Sequence, residues 1–170
     1  MKKLLSIILS TLIMLMTLSV IASASDSISE NDEIVVSTET VYLDGGSTLT
    51  VTTKVNQHQF VSNMATYASS GSRFVSGNKE VKNEKDGALI WKYVLTGEYT
   101  VVDGVSSVCT NAYYTYTIND SKWSINDPST SYSDNVAYGY CVFKKKVLFI
   151  TTDNVTIDIS LTCDVNGVLS

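Results

Sequence analysis

Ten tyrosines and a single histidine set the chemistry open to this 170-residue sequence. Tyr113, Tyr114 and Tyr116 fall within four residues, and Tyr132, Tyr138 and Tyr140 lie on neighbouring stretches. On a strand, successive side chains face opposite ways, so Tyr113 and Tyr114 cannot both enter a core. At least one reaches the surface, where a rigid amphipathic ring can stack on a sugar or anchor a protein partner. Tyr113, Tyr114 and Tyr116 are the candidate binding surface. The plainer reading is that they are strand formers covering a sheet.

Catalytic patterns are missing. Nucleophilic catalysis needs a base held against its nucleophile and oriented by a third group. His58 sits alone in the polar stretch "NQHQF", with no G-x-S-x-G anywhere. Zinc wants several Cys and His ligands at short spacings, which one His and three separated Cys do not offer. Asp44, Asp86, Asp103, Asp120, Asp127, Asp134, Asp153 and Asp164 sit at turn signals, where Asp shapes the backbone through its own side chain. Glu98 and Asp158 fall mid-strand and read as solvated. "DVNG" at 164–167 has the start of a calcium loop but lacks its later acidic ligands. No catalytic residue, metal or cofactor is expected.

The first residues address the chain. Lys2 and Lys3 precede an uncharged run from Leu4 to Ile21, and "ASA" places Ala22 and Ala24 where a signal peptidase reads small residues. This predicts a signal peptide over 1–24, with cleavage after Ala24 and a secreted product. An uncleaved anchor is the alternative, because such a run could roughly cross a bilayer. Losing Lys2 and Lys3 leaves ten basic residues against seventeen acidic, a net charge of −7. That argues against nucleic acid, whose phosphates need a clustered positive surface. No second apolar span follows, so no stable membrane span is expected after cleavage. Lys144-Lys145-Lys146 reads as a charged strand face or a blunted sheet edge.

These residues must be positioned by strands. Residues 25–33 are polar and acidic and read as a flexible leader, leaving 34–170 as one domain. Val35 to Leu43 and Leu49 to Val55 flank a turn at Asp44-Gly45-Gly46. Residues 56–70 carry Phe60, Met64 and Tyr67 at helical spacing, consistent with one short helix or a loop. The polar stretch from Ser70 to Gly87 reads as an exposed edge strand entering a turn at Asp86-Gly87. Leu89, Trp91, Tyr93, Leu95, Gly97, Tyr99 and Val101 share one parity. After Asp103-Gly104, Val108, Ala112, Tyr114, Tyr116 and Ile118 share a face and Cys109 lies opposite, unless a bulge swaps them. Trp123 and Ile125 form a short strand before a polar turn containing Pro128. Val136 to Ile150 is a long β run that bends or breaks near the lysines, Asp153-Asn154 is a turn, and Val155 to Cys163 alternates. Eight or nine short strands with at most one short helix predict an all-β antiparallel sandwich.

Cys109, Trp123 and Cys163 are spaced like the Cys…Trp…Cys pattern of immunoglobulin-like domains, in which a tryptophan packs on a disulfide between sheets. Leu161 stands where that pattern would place a tyrosine. Three cysteines is an odd number, so an oxidising compartment leaves one thiol over.

"YLDGGSTLTVTT", "DGALIWKYVLTGEYTVVDGVSSVCTNA", "SKWSI" and "LTCDVNGVLS" together resemble an uncharacterised family of small secreted proteins from Clostridia-like Gram-positive bacteria. The resemblance covers most of the chain after the leader, apart from residues 56–82. The family has no assigned activity, so it implies export and a β fold. It also implies a disulfide: Cys109 and Cys163 match the family's cysteines, and Cys141 matches nothing and is expected to be reduced and buried. That bond would close a loop of about fifty-five residues and contribute roughly 4 kcal/mol in the chain-entropy account. The functional reading is a secreted non-catalytic β-sandwich binding an extracellular surface, glycan or protein. The alternative is a small secreted carboxylate-dependent hydrolase, which needs two acids within about 5 to 10 Å in one concave pocket.

Overall fold

The computed structural model describes residues 33–43, 46–56, 71–148 and 150–170. The expectations for a signal peptide, for most of the leader, for His58 and for a helix within 56–70 lie outside these residues, as does Asp44. Eight strands are present: β1 (Glu33–Tyr42), β2 (Ser47–Asn56), β3 (Arg73–Lys85), β4 (Ala88–Val102), β5 (Ser106–Ile118), β6 (Trp123–Ser133), β7 (Val136–Val147) and β8 (Ile150–Thr162). Among the described residues there is no helix. The strands form two antiparallel sheets, a five-stranded one in the order β1-β2-β3-β4-β5 and a three-stranded one in the order β6-β7-β8. The expected all-β sandwich is therefore present. Each sheet is a sequential meander, however, and the Greek-key order of immunoglobulin domains is not what connects them.

Why these sheets pack is visible in β4. Trp91, Tyr93, Leu95, Tyr99 and Val101 are fully buried, as their shared parity requires. The Trp91 ring stacks on Phe143 of β7 at 3.9 Å between centroids and meets Trp123 of β6 edge-on at 6.1 Å. On β8, Ile157 and Leu161 close the layer from the other sheet. Gly139 of β7 lies beneath Tyr93, where a Cβ would come within 2.8 Å of the phenol oxygen. The glycine is what lets a large ring lie between the two sheets.

The β3–β4 hairpin turns at Asp86-Gly87, as expected, with both residues at positive φ (52° and 77°). That is the two-residue turn whose twist suits a hairpin. Several expectations need correction. β3 is central, hydrogen-bonded to β2 and β4, and is not an edge. Its polarity misled because Val75, Val81 and Asn83 face inward while its charges pair with lysines on the outer face. Pro128 sits within β6, at an irregularity between Asn126 and Ser129 where Asp127 takes φ 52°. β6 ends its sheet, which is where a strand tolerates proline. Asp153-Asn154 is no turn: both lie in β8, opposite Lys145 and Lys144. The chain reverses instead just after the lysines, between Val147 and Ile150, with Leu148 at φ 48°. The lysines themselves lie on β7, the middle strand, and not on a blunted edge.

A further correction concerns β5. Glu98 pairs with Asn111 but Tyr99 pairs with Cys109, so Thr110 is an extra residue. This bulge swaps the faces. Cys109 turns into the core and Val108 turns out, while Ala112, Tyr114 and Ile118 keep the inward face.

The C-terminal "DVNGVLS" is a cap on the sandwich. Asp164 Oδ1 accepts the N–H groups of Asn166 and Val168, each at 2.8 Å. The turn folds Leu169 back onto Gly77, where it is buried, and Ser170 exchanges two backbone bonds with Thr162. Arg73 binds Asp103 at 2.8 Å and the Asn166 carbonyl, tying the cap to β3 and the β4–β5 turn.

Candidate functional site

The expected tyrosine surface is divided by the fold. Tyr113, 44% exposed, lies on the outer face of the five-stranded sheet opposite Thr96. Tyr114 faces the sandwich and stacks on buried Tyr93 at 5.8 Å. Tyr116 shares that inward parity and stacks on Tyr114 at 6.4 Å, yet is 48% exposed. One ring points out, one is scaffold and one is half exposed on the inward parity. They do not make one contact surface.

A different aromatic pair does. Tyr138 and Tyr140 are two residues apart on β7, on the outer face of the three-stranded sheet, and are 42% and 39% exposed. Their Cα atoms stand about 6.6 Å apart along the strand. The register builds a grid around them. Ser129 of β6 and Asp158 of β8 flank Tyr140, and Ser131 and Ser160 flank Tyr138. Thr130 and Gly139, opposed across β6 and β7, close the floor beneath an open groove of about 210 Å³. Thr130 is spoken for from behind, since its hydroxyl donates to the Ala112 carbonyl of β5 at 3.3 Å. The groove thus offers two phenol rings, serine hydroxyls and one carboxylate.

Asp158 is exposed and has no ion pair or side-chain hydrogen bond among the described residues. It is the sole carboxylate lining the groove. The two-acid arrangement that glycoside hydrolysis requires is not assembled there. Other acids shape backbone, as their turn positions imply. Asp86, Asp127 and Asp134 adopt positive φ, Asp120 accepts the Lys122 N–H at 3.0 Å, and Asp164 organises the C-terminal cap. Glu98 accepts from Asn111 at 3.2 Å across the β4–β5 pair.

The cysteines gather around tyrosines. The N–H of Cys109 donates to the Asp134 carbonyl at 2.6 Å, and that of Cys163 to the Asn135 carbonyl at 3.0 Å. Both residues thus hang from successive carbonyls of the β6–β7 turn. Both thiols lie near the hydroxyl of Tyr99, which donates to the Leu161 carbonyl at 2.6 Å. All three cysteines are buried free thiols in this structure, so the expected Cys109–Cys163 bond is not formed in it. Burial pushes the Cys141 thiol up to about 12 and raises Cys109 and Cys163 as well, so each is protonated at neutral pH. The immunoglobulin-type packing of Trp123 on a cysteine pair is absent. Trp123 lies with Trp91 at one end of β4 and the cysteines lie with Tyr99, about 26 Å along the strand.

The outer face of the five-stranded sheet is built differently. Glu80, only 6% exposed, lies 3.0 Å from Lys82, 3.5 Å from Lys92 and 3.8 Å from Lys54. Lys54 also binds Glu33 at 3.1 Å, and Glu33 accepts from Asn78 at 2.7 Å. Burial opposes ionisation of Glu80, but the Lys82 hydrogen bond and the charges of Lys54, Lys82 and Lys92 outweigh it and hold the carboxyl below its ordinary value.

Asp158 lies on the wet face that its alternation predicts, and the exposed ring pair belongs to Tyr138 and Tyr140 of β7, not to the β5 tyrosines. The signal that would have found the groove is a shared alternation: Ser-x-Ser on β6, Tyr-x-Tyr on β7 and Asp-x-Ser on β8, all on outward parity.

The fold and groove define a two-sheet β-sandwich of sequential meanders with an aromatic outer face. Set against known protein families, curated proteins and solved structures, the chain matches none.

Proposed function

We propose that this chain is a secreted, non-catalytic binding protein that presents the outer face of its three-stranded sheet to an extracellular glycan. The observation that carries the reading is the exposed Tyr138–Tyr140 pair on one strand, bordered on both sides by hydroxyls and a carboxylate. Sugar rings have an apolar face and a polar rim. Adjacent phenols match the first and short polar side chains match the second. Binding of the mature protein to insoluble polysaccharides tests it. Loss of retention in Tyr138→Ala/Tyr140→Ala, with retention kept in Tyr113→Ala, is the expected result. Retention unchanged by the double substitution would remove this face from the reading.

Export and the resemblance to secreted Gram-positive proteins belong to the same proposal, as does a Cys109–Cys163 disulfide. The attachment of both cysteines to successive carbonyls of one turn, with each thiol close enough to influence the other, supports the pairing. Buried protonated thiols exchange slowly, so the bond would form while the chain folds, by exchange with an oxidised dithiol that leaves reduced. Mass analysis of the exported protein after alkylation in denaturant without reductant should find one modified cysteine, Cys141. Alkylation at all three would exclude the bond.

A further inference from the structure

Resting on the reading of this face as a glycan platform, we propose that its ligand is a polymer of amino sugars carrying free ammonium groups, with Asp158 as the ammonium acceptor. The groove is lined by one charge, and that charge is negative; no lysine or arginine lines it. Asp158 stands directly opposite Tyr140 in the β7–β8 register. A sugar ring lying on Tyr140 would therefore project a ring substituent toward the carboxylate. An ammonium at that point gains a charge-assisted hydrogen bond from Asp158 and attraction to the electron-rich face of the phenol. Ser129 and Ser131, on the other flank, are left to meet sugar hydroxyls.

The surroundings agree. A chain of net charge −5, or −7 without Lys2 and Lys3, repels polyanions and draws polycations toward its surface. The exposed carboxylate of Asp158 also makes no ion pair or side-chain hydrogen bond among the described residues, unlike Glu80 on the outer face of the other sheet, which is enclosed by three lysines. A volume of about 210 Å³ suits a single ring at a time, below the roughly 300–1,000 Å³ of pockets that enclose drug-sized ligands. An extended polymer laid across an open sheet face meets that description.

The test uses three probes of equal length on the mature protein: a fully deacetylated glucosamine oligomer, its N-acetylated counterpart and a neutral glucose oligomer. Calorimetry at mildly acidic pH, in low and in high salt, reads the affinities. The deacetylated oligomer should bind about tenfold or more tighter than the other two, and that preference should shrink with salt. Asp158→Asn should abolish the preference while leaving weak binding of all three. Equal binding of all three oligomers, lost in Tyr138→Ala/Tyr140→Ala, would overturn the amine proposal and leave the glycan reading standing. Binding of none, or binding that ignores both tyrosines, would overturn the two together. A lysine-rich peptide bound through the same tyrosines, with the oligomers ignored, would also overturn the proposal and reassign the face to a protein partner.

Discussion

On the outer face of the five-stranded sheet, the carboxylate of Glu80 is enclosed by Lys54, Lys82 and Lys92 within 3.8 Å. On the outer face of the three-stranded sheet, the carboxylate of Asp158 stands beside two exposed tyrosines with no cation lining its groove. Both acids sit mid-strand, on a central strand in one case and a terminal one in the other. The first is part of how its sheet holds together. The second is left available. Folding asks that buried polar groups be satisfied, and it asks nothing of an exposed carboxylate on a wet face. Two exposed rings beside an unpaired carboxylate are the features that the proposed glycan contact would use.

That contrast predicts different readouts from the two faces. The largest effect should come from Tyr138→Ala/Tyr140→Ala, which removes both rings of the groove. Glycan affinity should fall by about 30-fold or more, as for paired anchor residues at an interface. The thermal midpoint should stay close to wild type, since both rings are about 40% exposed. A large fall in the midpoint would mean that these rings are structural and that the two faces do not differ in kind.

Next in size is Glu80→Ala. It leaves three lysines facing one another over a nearly buried position. The expected cost is about 1 to 3 kcal/mol of folding stability, seen as a lower denaturant midpoint, with glycan affinity unchanged. The same residue gives a pH signature. Its folded carboxyl is held below the ordinary value of 4.5, so its contribution is complete above that value and is lost as pH falls through the lower folded one. Wild type should lose stability on acidification below about pH 4.5, and Glu80→Gln should show a shallower loss. Identical acid profiles would show that the lysine cage is only loosely engaged.

How far the sequence reached follows from what its patterns encode. Parity is written most plainly in β8, where Val155, Ile157, Ile159 and Leu161 alternate with Thr156, Asp158, Ser160 and Thr162, whereas on β4 the large rings of Trp91, Tyr93 and Tyr99 mark the core face although Ile90 and Val94 lie on the other. The turn at Asp86-Gly87 was equally plain, because few residues tolerate its φ values. The β5 bulge was not. Thr110 is an ordinary strand residue, and nothing in it announces that Tyr99 will pair past it with Cys109. β3 misled for another reason: its lysines and glutamates are solvent-like letters, and nothing local shows that Glu80 will also meet Lys54 of β2 and Lys92 of β4. The groove was missed because it is a coincidence of three registers. Tyr138, Ser131 and Ser160 become neighbours only once β6, β7 and β8 are aligned. The dense cluster at Tyr113–Tyr116 drew attention by adjacency, and adjacency along a strand is what sends side chains to opposite faces.

The smallest stability effect, and the sharpest test of the contrast, is Asp158→Asn. The substitution keeps the shape and removes the charge. If the carboxylate has no role in holding β8 to β7, stability should change by less than about 0.5 kcal/mol, and the acid profile below pH 4.5 should keep the wild-type form set by Glu80. Urea melts of the two single variants and of Glu80→Gln/Asp158→Asn decide it. The two positions lie on outer faces of different sheets, so their effects should add within about 0.3 to 0.5 kcal/mol. A stability loss for Asp158→Asn as large as that for Glu80→Gln would mean that Asp158 is engaged in the fold after all. The two faces would then be two versions of the same scaffold, and the groove would lose the free carboxylate on which its ligand chemistry depends.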